Sequence, residues 1–155
     1  PIYGQNFNIR PSVLRLANIY GPRQDPHGEA GVIAIFTNSM LAEKRVTVFG
    51  DGNDERDYVY VADAIEALTR SALMEGGMGP FNVGTGRGTT VNEIFRLLSD
   101  LCGYNMDPRS APPRQGDIHK ITLDSNKIRD ALGWVPQKSL SNGLAETVSW
   151  FRNNS

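Results

Sequence analysis

The 155-residue sequence has little of what marks secreted, membrane-spanning or nucleic-acid-binding proteins. Cys102 is the single cysteine, so no disulfide can form within the chain, which fits a reducing compartment. No apolar run approaches the ~20 residues of a membrane span, and the opening PIYGQNFNIR lacks the charged-then-apolar pattern of a secretory signal. The 16 Lys and Arg residues are balanced by 17 Asp and Glu residues, so no broad basic surface for nucleic acid or lipid is expected. These absences predict a water-soluble, cytoplasmic protein.

A dinucleotide fingerprint and a metal site are also missing from the sequence. The glycine-rich stretch 83–88 (VGTGRG) has the wrong spacing for a fingerprint, and no acidic residue ends a second strand about 20 positions later. We therefore interpret it as a connector between a strand and a helix. His27 and His119 have no Cys or His partner at metal-ligand spacing. The loop with Asp51, Asp54, Glu55 and Asp57 lacks the alternating ligands of a calcium loop, so its carboxylates are interpreted as solvated turn carboxylates.

Strand-like and helix-like segments alternate along the chain, separated by loops rich in Gly and Pro. Strands are predicted at residues 12–17, 45–49, 58–61 and 81–83. Helices are predicted at residues 32–41, at 62–74 with Gly76 and Gly77 ending it, between the Thr90–Glu93 capping box and Gly103, between the cap Ser125 and Gly133, and from Leu140 to Phe151. This alternation predicts the α/β class.

The predicted strands are few and short, and the first begins close to the first residue of the sequence. A sheet built only from them would have exposed hydrophobic edges, which proteins normally cover or charge. A fragment of a larger protein, or a partner chain that supplies further strands, would explain this pattern.

Loops that combine arginine with Gly or Pro are candidates for an anion-binding site. They are segment 15–24 with Arg15, Asn18 and Arg23, segment 49–58 with Arg56, and segment 111–117 with Arg114. The planar guanidinium suits phosphate oxygens, and Gly and Pro fix the approach of such loops. Each arginine could equally be an ordinary surface or ion-pairing residue. The residue pattern alone leaves both interpretations open.

Four stretches of the sequence carry a family resemblance. They are RLANIYGPRQDP, FGDGNDERDYVYVADAIEA, FNVGTGRGTTVNEI and APPRQGDIHKITLDSNKIRDALGWVP. In this order they resemble the C-terminal half of extended short-chain dehydrogenase/reductases, in particular the NAD-dependent epimerase/dehydratase family typified by UDP-glucose 4-epimerase. The resemblance covers essentially the whole chain. It implies that residues 1–155 form the nucleotide-sugar-binding part of an extended Rossmann-type enzyme, with the last strands and helices of the cofactor sheet but without the N-terminal dinucleotide-binding core.

The resemblance also implies contacts with the nucleoside. Asn18 matches the asparagine that contacts the diphosphate near the nicotinamide. Gly31 and Val32 match the segment that meets the base, and Phe49 matches the apolar residue that lies against the nucleoside. An apolar pocket of this kind suits uracil or thymine and does not distinguish them well.

Further residues match the part of the family site that binds phosphate and ribose. Arg56 and Arg114 match the two arginines that clamp the phosphates, and Asp117 matches the acidic residue that holds the ribose or the neighbouring loop. A family tyrosine that contacts the sugar in some members aligns near Ile121, a departure that leaves the choice of sugar open.

The catalytic pair that the family requires, Tyr-x-x-x-Lys, does not occur in this sequence. The residues four positions after the five tyrosines are Phe7, Gln24, Ala62, Ala64 and Pro108. The resemblance places the pair, and the glycine-rich NAD motif, before Pro1. The chain alone is therefore expected to bind and orient substrate without hydride chemistry, to have no catalytic residue and to bind no cofactor, since NAD would belong to the full-length enzyme.

The function implied by the resemblance is binding of the nucleoside diphosphate-sugar of a UDP-hexose 4-epimerase. The full-length enzyme would interconvert configuration at the sugar C4 with NAD. A sugar-nucleotide 4,6-dehydratase or decarboxylase of the same family is one alternative, and a non-catalytic nucleotide-sugar-binding module is another. The expected partners are a UDP-sugar and either the missing N-terminal half or a second copy of the chain.

Overall fold

A computed structural model describes residues 6–7, 11–27, 31–74 and 79–154. Its strands are β1 (Leu14–Leu16), β2 (Asn18–Tyr20), β3 (Thr47–Phe49), β4 (Glu55–Tyr60), β5 (Phe81–Val83), β6 (Gly88–Thr90), β7 (Arg109–Ala111) and β8 (Lys120–Ile121). Its helices are α1 (Val32–Leu41), α2 (Val61–Leu73), α3 (Val91–Cys102), α4 (Asn126–Leu132) and α5 (Leu140–Asn154). None of the helices within these ranges has both the length and the hydropathy that crossing a bilayer requires.

The strands form three small sheets, in which most neighbours are parallel. β1 pairs with β5, and β3 pairs with β7, both in parallel. The largest sheet has β4 at its centre, with β2 and β8 parallel to it and β6 antiparallel. Because β6 and β8 both pair with the first residues of β4, they must lie on opposite edges of that strand.

Strand β4 separates two hydrophobic cores, because successive side chains of a strand point to opposite faces. On one face, Tyr58 and Tyr60 join the core that α1, α3 and α5 fill with Phe36, Leu98, Leu144 and their neighbours. On the other face, Val59 joins the core formed by Ala64, Ala67, Phe81, Val83, Ile128 and Trp134. The indole N–H of Trp134 donates a hydrogen bond to the Asp63 carbonyl oxygen at 3.0 Å, so this buried polar group is satisfied.

Several predicted helix boundaries are confirmed. Helix α1 covers the predicted residues, and α3 has the predicted capping box, with the Thr90 hydroxyl accepting a hydrogen bond from the Glu93 N–H at 3.1 Å. Gly103 ends α3 in the left-handed conformation, with φ of 70°. The predicted helix stop at Gly76 and Gly77 lies outside the described residues.

The prediction that Ser125 caps α4 through its side chain is wrong. The Ser125 hydroxyl instead donates to the Gly84 carbonyl oxygen at 2.9 Å. The Asp124 carboxylate accepts from the Asn126 N–H at 2.8 Å and takes the local turn-forming role. A long-range partner has therefore displaced the local cap.

The sequence also failed to predict four strands. Asn18–Tyr20, inside a predicted loop, is β2, and the connector after β5 leads first to β6 and only then to α3. β7 lies within residues 108–116, for which the sequence predicts a loop, and β8 lies in a stretch with no predicted element. These strands are two or three residues long, so their form depends on pairing with β3 and β4 rather than on their own periodicity.

One edge of β1 is unpaired in the described part of the chain, as the sequence predicts. The Val13 carbonyl accepts from the Phe81 N–H at 2.8 Å, and the Ala17 N–H donates to the Val83 carbonyl at 2.9 Å. Backbone groups alternate in direction along a strand, so those of Leu14 and Leu16 point away from β5. No described strand pairs with that edge.

Candidate functional site

The candidate site is organised by the register of β4 with its neighbours. Asn18 of β2 is the register partner of Tyr58, and Ile121 of β8 is the register partner of Arg56. Register partners share a face of the sheet, and so do residues two apart in one strand. Asn18, Arg56 and Ile121 therefore lie on one face, although 103 positions separate the first from the last.

One cavity beside these residues, here called the inner cavity, has a volume of about 320 Å³. Asn18 and Gly31 line it together with Ile19, Tyr20, Gln24, Ile33 and Tyr58. Gly31 is the residue before α1 and Val32 is the first residue of that helix, half-buried beside the core. The structure thus brings Asn18 and Gly31 to the same cavity, and their contact with a ligand stays a prediction.

Tyr58 gives the inner cavity a neutral hydroxyl. The side chain is buried, and burial raises its pKa to about 12, while the nearby charge of Arg56 has a smaller opposite effect. At neutral pH the phenol therefore stays protonated. It can donate a hydrogen bond to a ligand, but it cannot act as a general base there.

Another cavity, here called the outer cavity, has a volume of about 820 Å³ and is lined by charged and polar side chains together with glycine, Ala111 and Pro113. These include Arg114 and Asp117, with Gly50, Asp51, Asn53, Asp54 and His119. The Arg114 guanidinium carbon lies 4.1 Å from the ring centroid of Phe49, which is 39% exposed at the end of β3. In this cation–π contact the guanidinium, a group suited to binding phosphate, covers one face of the partly exposed Phe49 ring.

The acidic loop beside Arg114 is internally hydrogen-bonded. Asp51 accepts bonds from the backbone N–H and the side-chain amide of Asn53, both at 2.9 Å, which hold the pKa of Asp51 below its usual value. Asp54 Oδ1 lies 2.9 Å from Nδ1 of His119. In the described residues, no three His, Cys, Asp or Glu side chains are grouped so as to hold a metal ion.

Arg56 lies between the two cavities along β4. Its side chain is half-buried, and its Nη1 donates to the Glu55 carbonyl oxygen at 2.9 Å. At one end of this stretch, the Glu55 N–H donates to the carbonyl of His119, which lines the outer cavity. At the other end, Tyr58 lines the inner cavity. Of the predicted residues, Asn18 and Gly31 line the inner cavity, and Arg114 and Asp117 line the outer cavity. Val32, Phe49 and Arg56 line neither of the two.

The glycine-rich turn after β5 does not fit a dinucleotide pyrophosphate. Its N–H groups at Thr85 and Gly86 donate to the carboxylate of Asp57, at 2.9 and 3.0 Å. The interpretation of Asp57 as a solvated turn carboxylate is therefore wrong, because this side chain is fully buried in β4. A Cβ atom at Gly84 would lie 2.5 Å from Asp57 Oδ2, so glycine is required for this close approach. The backbone N–H groups of Thr85 and Gly86, which a pyrophosphate would need, therefore already have a partner within the protein.

Sequence reasoning missed three side chains at the cavities: Tyr58, Gln24 and His119. The alternation of Arg56, Tyr58 and Tyr60 in β4 could have identified Tyr58 as a neighbour of Arg56. Gln24 and His119 are brought to the cavities by loops, for which the sequence contains no comparable signal.

The structure is that of an α/β protein with parallel strand pairs, whose candidate site combines β2, β4 and the loop before β8. Residues 2–84, more than half of the chain, match the model of the NAD dependent epimerase/dehydratase family. The chain is 45% identical over 154 residues to the UDP-glucose 4-epimerase of Mycolicibacterium smegmatis, covering 99% of this chain and 49% of that protein.

Solved structures agree with that match. A crystal structure of UDP-glucose 4-epimerase from Thermotoga maritima with UDP-glucose has a TM-score of 0.94 and 50% identity, over 99% of this chain and 49% of that chain. The UDP-glucose 4-epimerase of Thermus thermophilus, solved in complex with NAD, has a TM-score of 0.87 and 40% identity, over 99% and 50%. The chain belongs to the NAD-dependent epimerase/dehydratase family, and it spans about half the length of the relatives it matches.

Proposed function

We propose that residues 1–155 bind the nucleoside diphosphate of a UDP-sugar, as the substrate-binding part of a UDP-hexose 4-epimerase. One observation carries this proposal. The pairing of β4 with both β2 and β8 puts Asn18, Arg56 and Ile121 on one face of the sheet, and β8 follows the loop that carries Arg114. Relatives solved with UDP-glucose or NAD support the ligand class.

In this proposal the two cavities bind different parts of the ligand. Phe49 presents the part of its ring that Arg114 does not cover to the base, and Asp117 accepts hydrogen bonds from the ribose. Arg56 and Arg114 neutralise the diphosphate, since charge-assisted bonds of this kind contribute about 1.5–3 kcal/mol each. The sugar then extends toward Asn18 and the neutral hydroxyl of Tyr58 in the inner cavity.

Calorimetric titration with UDP, dTDP, GDP and NAD tests the proposal. We expect saturable binding of UDP and none of NAD. Arg56→Ala should weaken UDP binding by about tenfold or more, because each 1.4 kcal/mol is one factor of ten. Arg96→Ala is the matched control, since Arg96 is exposed on α3, outside both cavities.

Three results would contradict the proposal. An unchanged UDP affinity in folded Arg56→Ala would exclude the phosphate clamp. Tight NAD binding would show that this part of the chain holds the cofactor itself. A clear preference for dTDP over UDP would favour the dehydratase alternative that the sequence leaves open.

We also propose that this chain works as one part of a longer polypeptide, which supplies the NAD site and the catalytic Tyr-x-x-x-Lys pair. The unpaired edge of β1 supports this, and so does an apolar stripe on α2, where Ile65 and Leu68 are 56% and 47% exposed. The opposite flank of α2 is occupied, since Arg70 donates to the carbonyls of Leu132 and Gly133.

The gene tests this second proposal directly. An in-frame Tyr-x-x-x-Lys segment upstream of Pro1 would support a complete epimerase. A start codon adjacent to Pro1 would instead favour a binding module without chemistry. The cytoplasmic location expected from the single cysteine stays a prediction, which localisation of a tagged full-length protein would test.

A further inference from the structure

Asp57 lies next to Arg56 on β4 but points to the opposite face of the sheet. It is fully buried, and in the described part of the chain no Lys, Arg or His forms an ion pair with it. A buried carboxylate without a cation must be compensated by hydrogen bonds. Its partners are therefore informative about what this residue does.

Four donors converge on the carboxylate. Oδ1 accepts from the N–H and the hydroxyl of Thr85, at 2.9 and 2.6 Å. Oδ2 accepts from the N–H of Gly86 at 3.0 Å and from the N–H of Leu123 at 3.2 Å. Three of these donors belong to the turn after β5. The fourth, Leu123, belongs to the segment that leaves β8, so Asp57 joins two separate parts of the chain to β4.

The bond to Leu123 completes the attachment of one segment along β4. That segment, residues 119–123, follows the loop of Arg114 in the chain. At its start, the His119 carbonyl accepts a hydrogen bond from the Glu55 N–H at 2.8 Å. β8 then pairs with Glu55 and Arg56, and the Leu123 N–H finally reaches Asp57. The position of the Arg114 loop relative to Arg56 depends on this run of contacts.

We propose that Asp57 is a positioning residue that sets the separation of Arg56 and Arg114, by holding the segment after β8 against β4. The inference rests on the proposed function, in which both arginines contact the same diphosphate. Two charged groups that clamp one ligand lose affinity when their spacing changes, even though Asp57 does not touch the ligand. The nucleoside, bound mainly at Phe49 and Asp117, should be much less sensitive.

Asp57→Asn tests this inference, because asparagine keeps the volume but offers one acceptor oxygen to four donors. The expected result is that UDP binding weakens about fivefold or more relative to uridine binding, both measured by NMR titration. Amide exchange of Leu123 should become faster at the same time. Thr85→Ala is the matched control, since it removes a donor to the same carboxylate but leaves the bond to Leu123.

Either of two results would overturn the inference: equal weakening of UDP and uridine, or unchanged exchange at Leu123. Tighter UDP binding would do so as well, since it would show that the charge of Asp57 matters more than its bonds. If Asp57→Asn does not fold, Leu123→Pro removes the single N–H in question and should give the same loss for UDP. A wild-type chain that fails to bind UDP would refute the proposed function. The rate of amide exchange at Leu123 in the variant would still test whether Asp57 holds the segment after β8 against β4.

Discussion

The contact between α5 and Tyr20 allows a quantitative test of the fold. Gly143 is buried in α5, and a Cβ atom there would overlap Tyr20 Oη and lie 2.9 Å from its Cζ. Tyr20 is 2% exposed, and its ring packs edge-to-face on Tyr58 and Tyr60, with centroid distances of 6.4 and 5.6 Å. The ring therefore cannot move away from a new methyl group without displacing its neighbours.

Two opposing effects decide the outcome of Gly143→Ala. Alanine in place of glycine inside a helix stabilises it by about 1 kcal/mol. Overpacking of a filled core costs about 1–3 kcal/mol, and the direct overlap with a buried hydroxyl points to the upper part of that range. We expect overpacking to prevail and the free energy of unfolding to fall by about 1–2 kcal/mol.

Urea unfolding of a double-mutant cycle measures this effect. Tyr20→Phe removes the overlapping hydroxyl and only one long hydrogen bond, 3.4 Å to the Leu140 carbonyl, so it should recover much of the stability lost in Gly143→Ala. Ser149→Ala, at an exposed position of α5, serves as the control and should stabilise slightly. A gain of about 1 kcal/mol in Gly143→Ala would refute the reasoning, because helix propensity alone would then act.

Two further predictions concern capping and alkaline pH. Thr90→Ala removes the acceptor for the Glu93 N–H and should lower the free energy of unfolding by about 1 kcal/mol. Thr90→Ser keeps a hydroxyl acceptor and should retain most of the stability. Equal losses in the two variants would argue against the cap. Burial raises the pKa of Tyr58 to about 12, above its unfolded value of about 10, so the folded state binds more protons in that interval and stability falls as pH rises through it. Tyr58→Phe should lessen this alkaline loss in urea titrations, and an unchanged pH dependence would contradict the assignment.

Much of the secondary structure is predictable from the sequence because it depends on local chemistry. The apolar spacing of residues 32–41 involves one helix only, and so does the Thr90–Glu93 capping box. Gly103 directly follows the last residue of α3 and ends that helix. Ser125 shows the limit of such reasoning. Its hydroxyl had a local role available, but Gly84, 41 positions away in the chain, is its partner.

The candidate site shows the same division. The arginines and their glycine- and proline-rich loops are visible in the sequence, as are the ordered motifs of the family. The two cavities, and the contact of Arg114 with Phe49, depend on the loops that β3, β7 and β8 hold in place. Strands of two or three residues have too little periodicity to be recognised before their partners are known.

The α/β class, the helix boundaries that rest on local caps, and the family of this chain can all be predicted from the amino-acid sequence. That Asn18 and Ile121 share a face with Arg56, and that Asp57 is buried among four donors, is visible only in the folded chain. The physical reason is that helix caps and periodicity act over a few residues. Strand register and a buried charge are settled by groups far apart in the chain, which meet only when it folds.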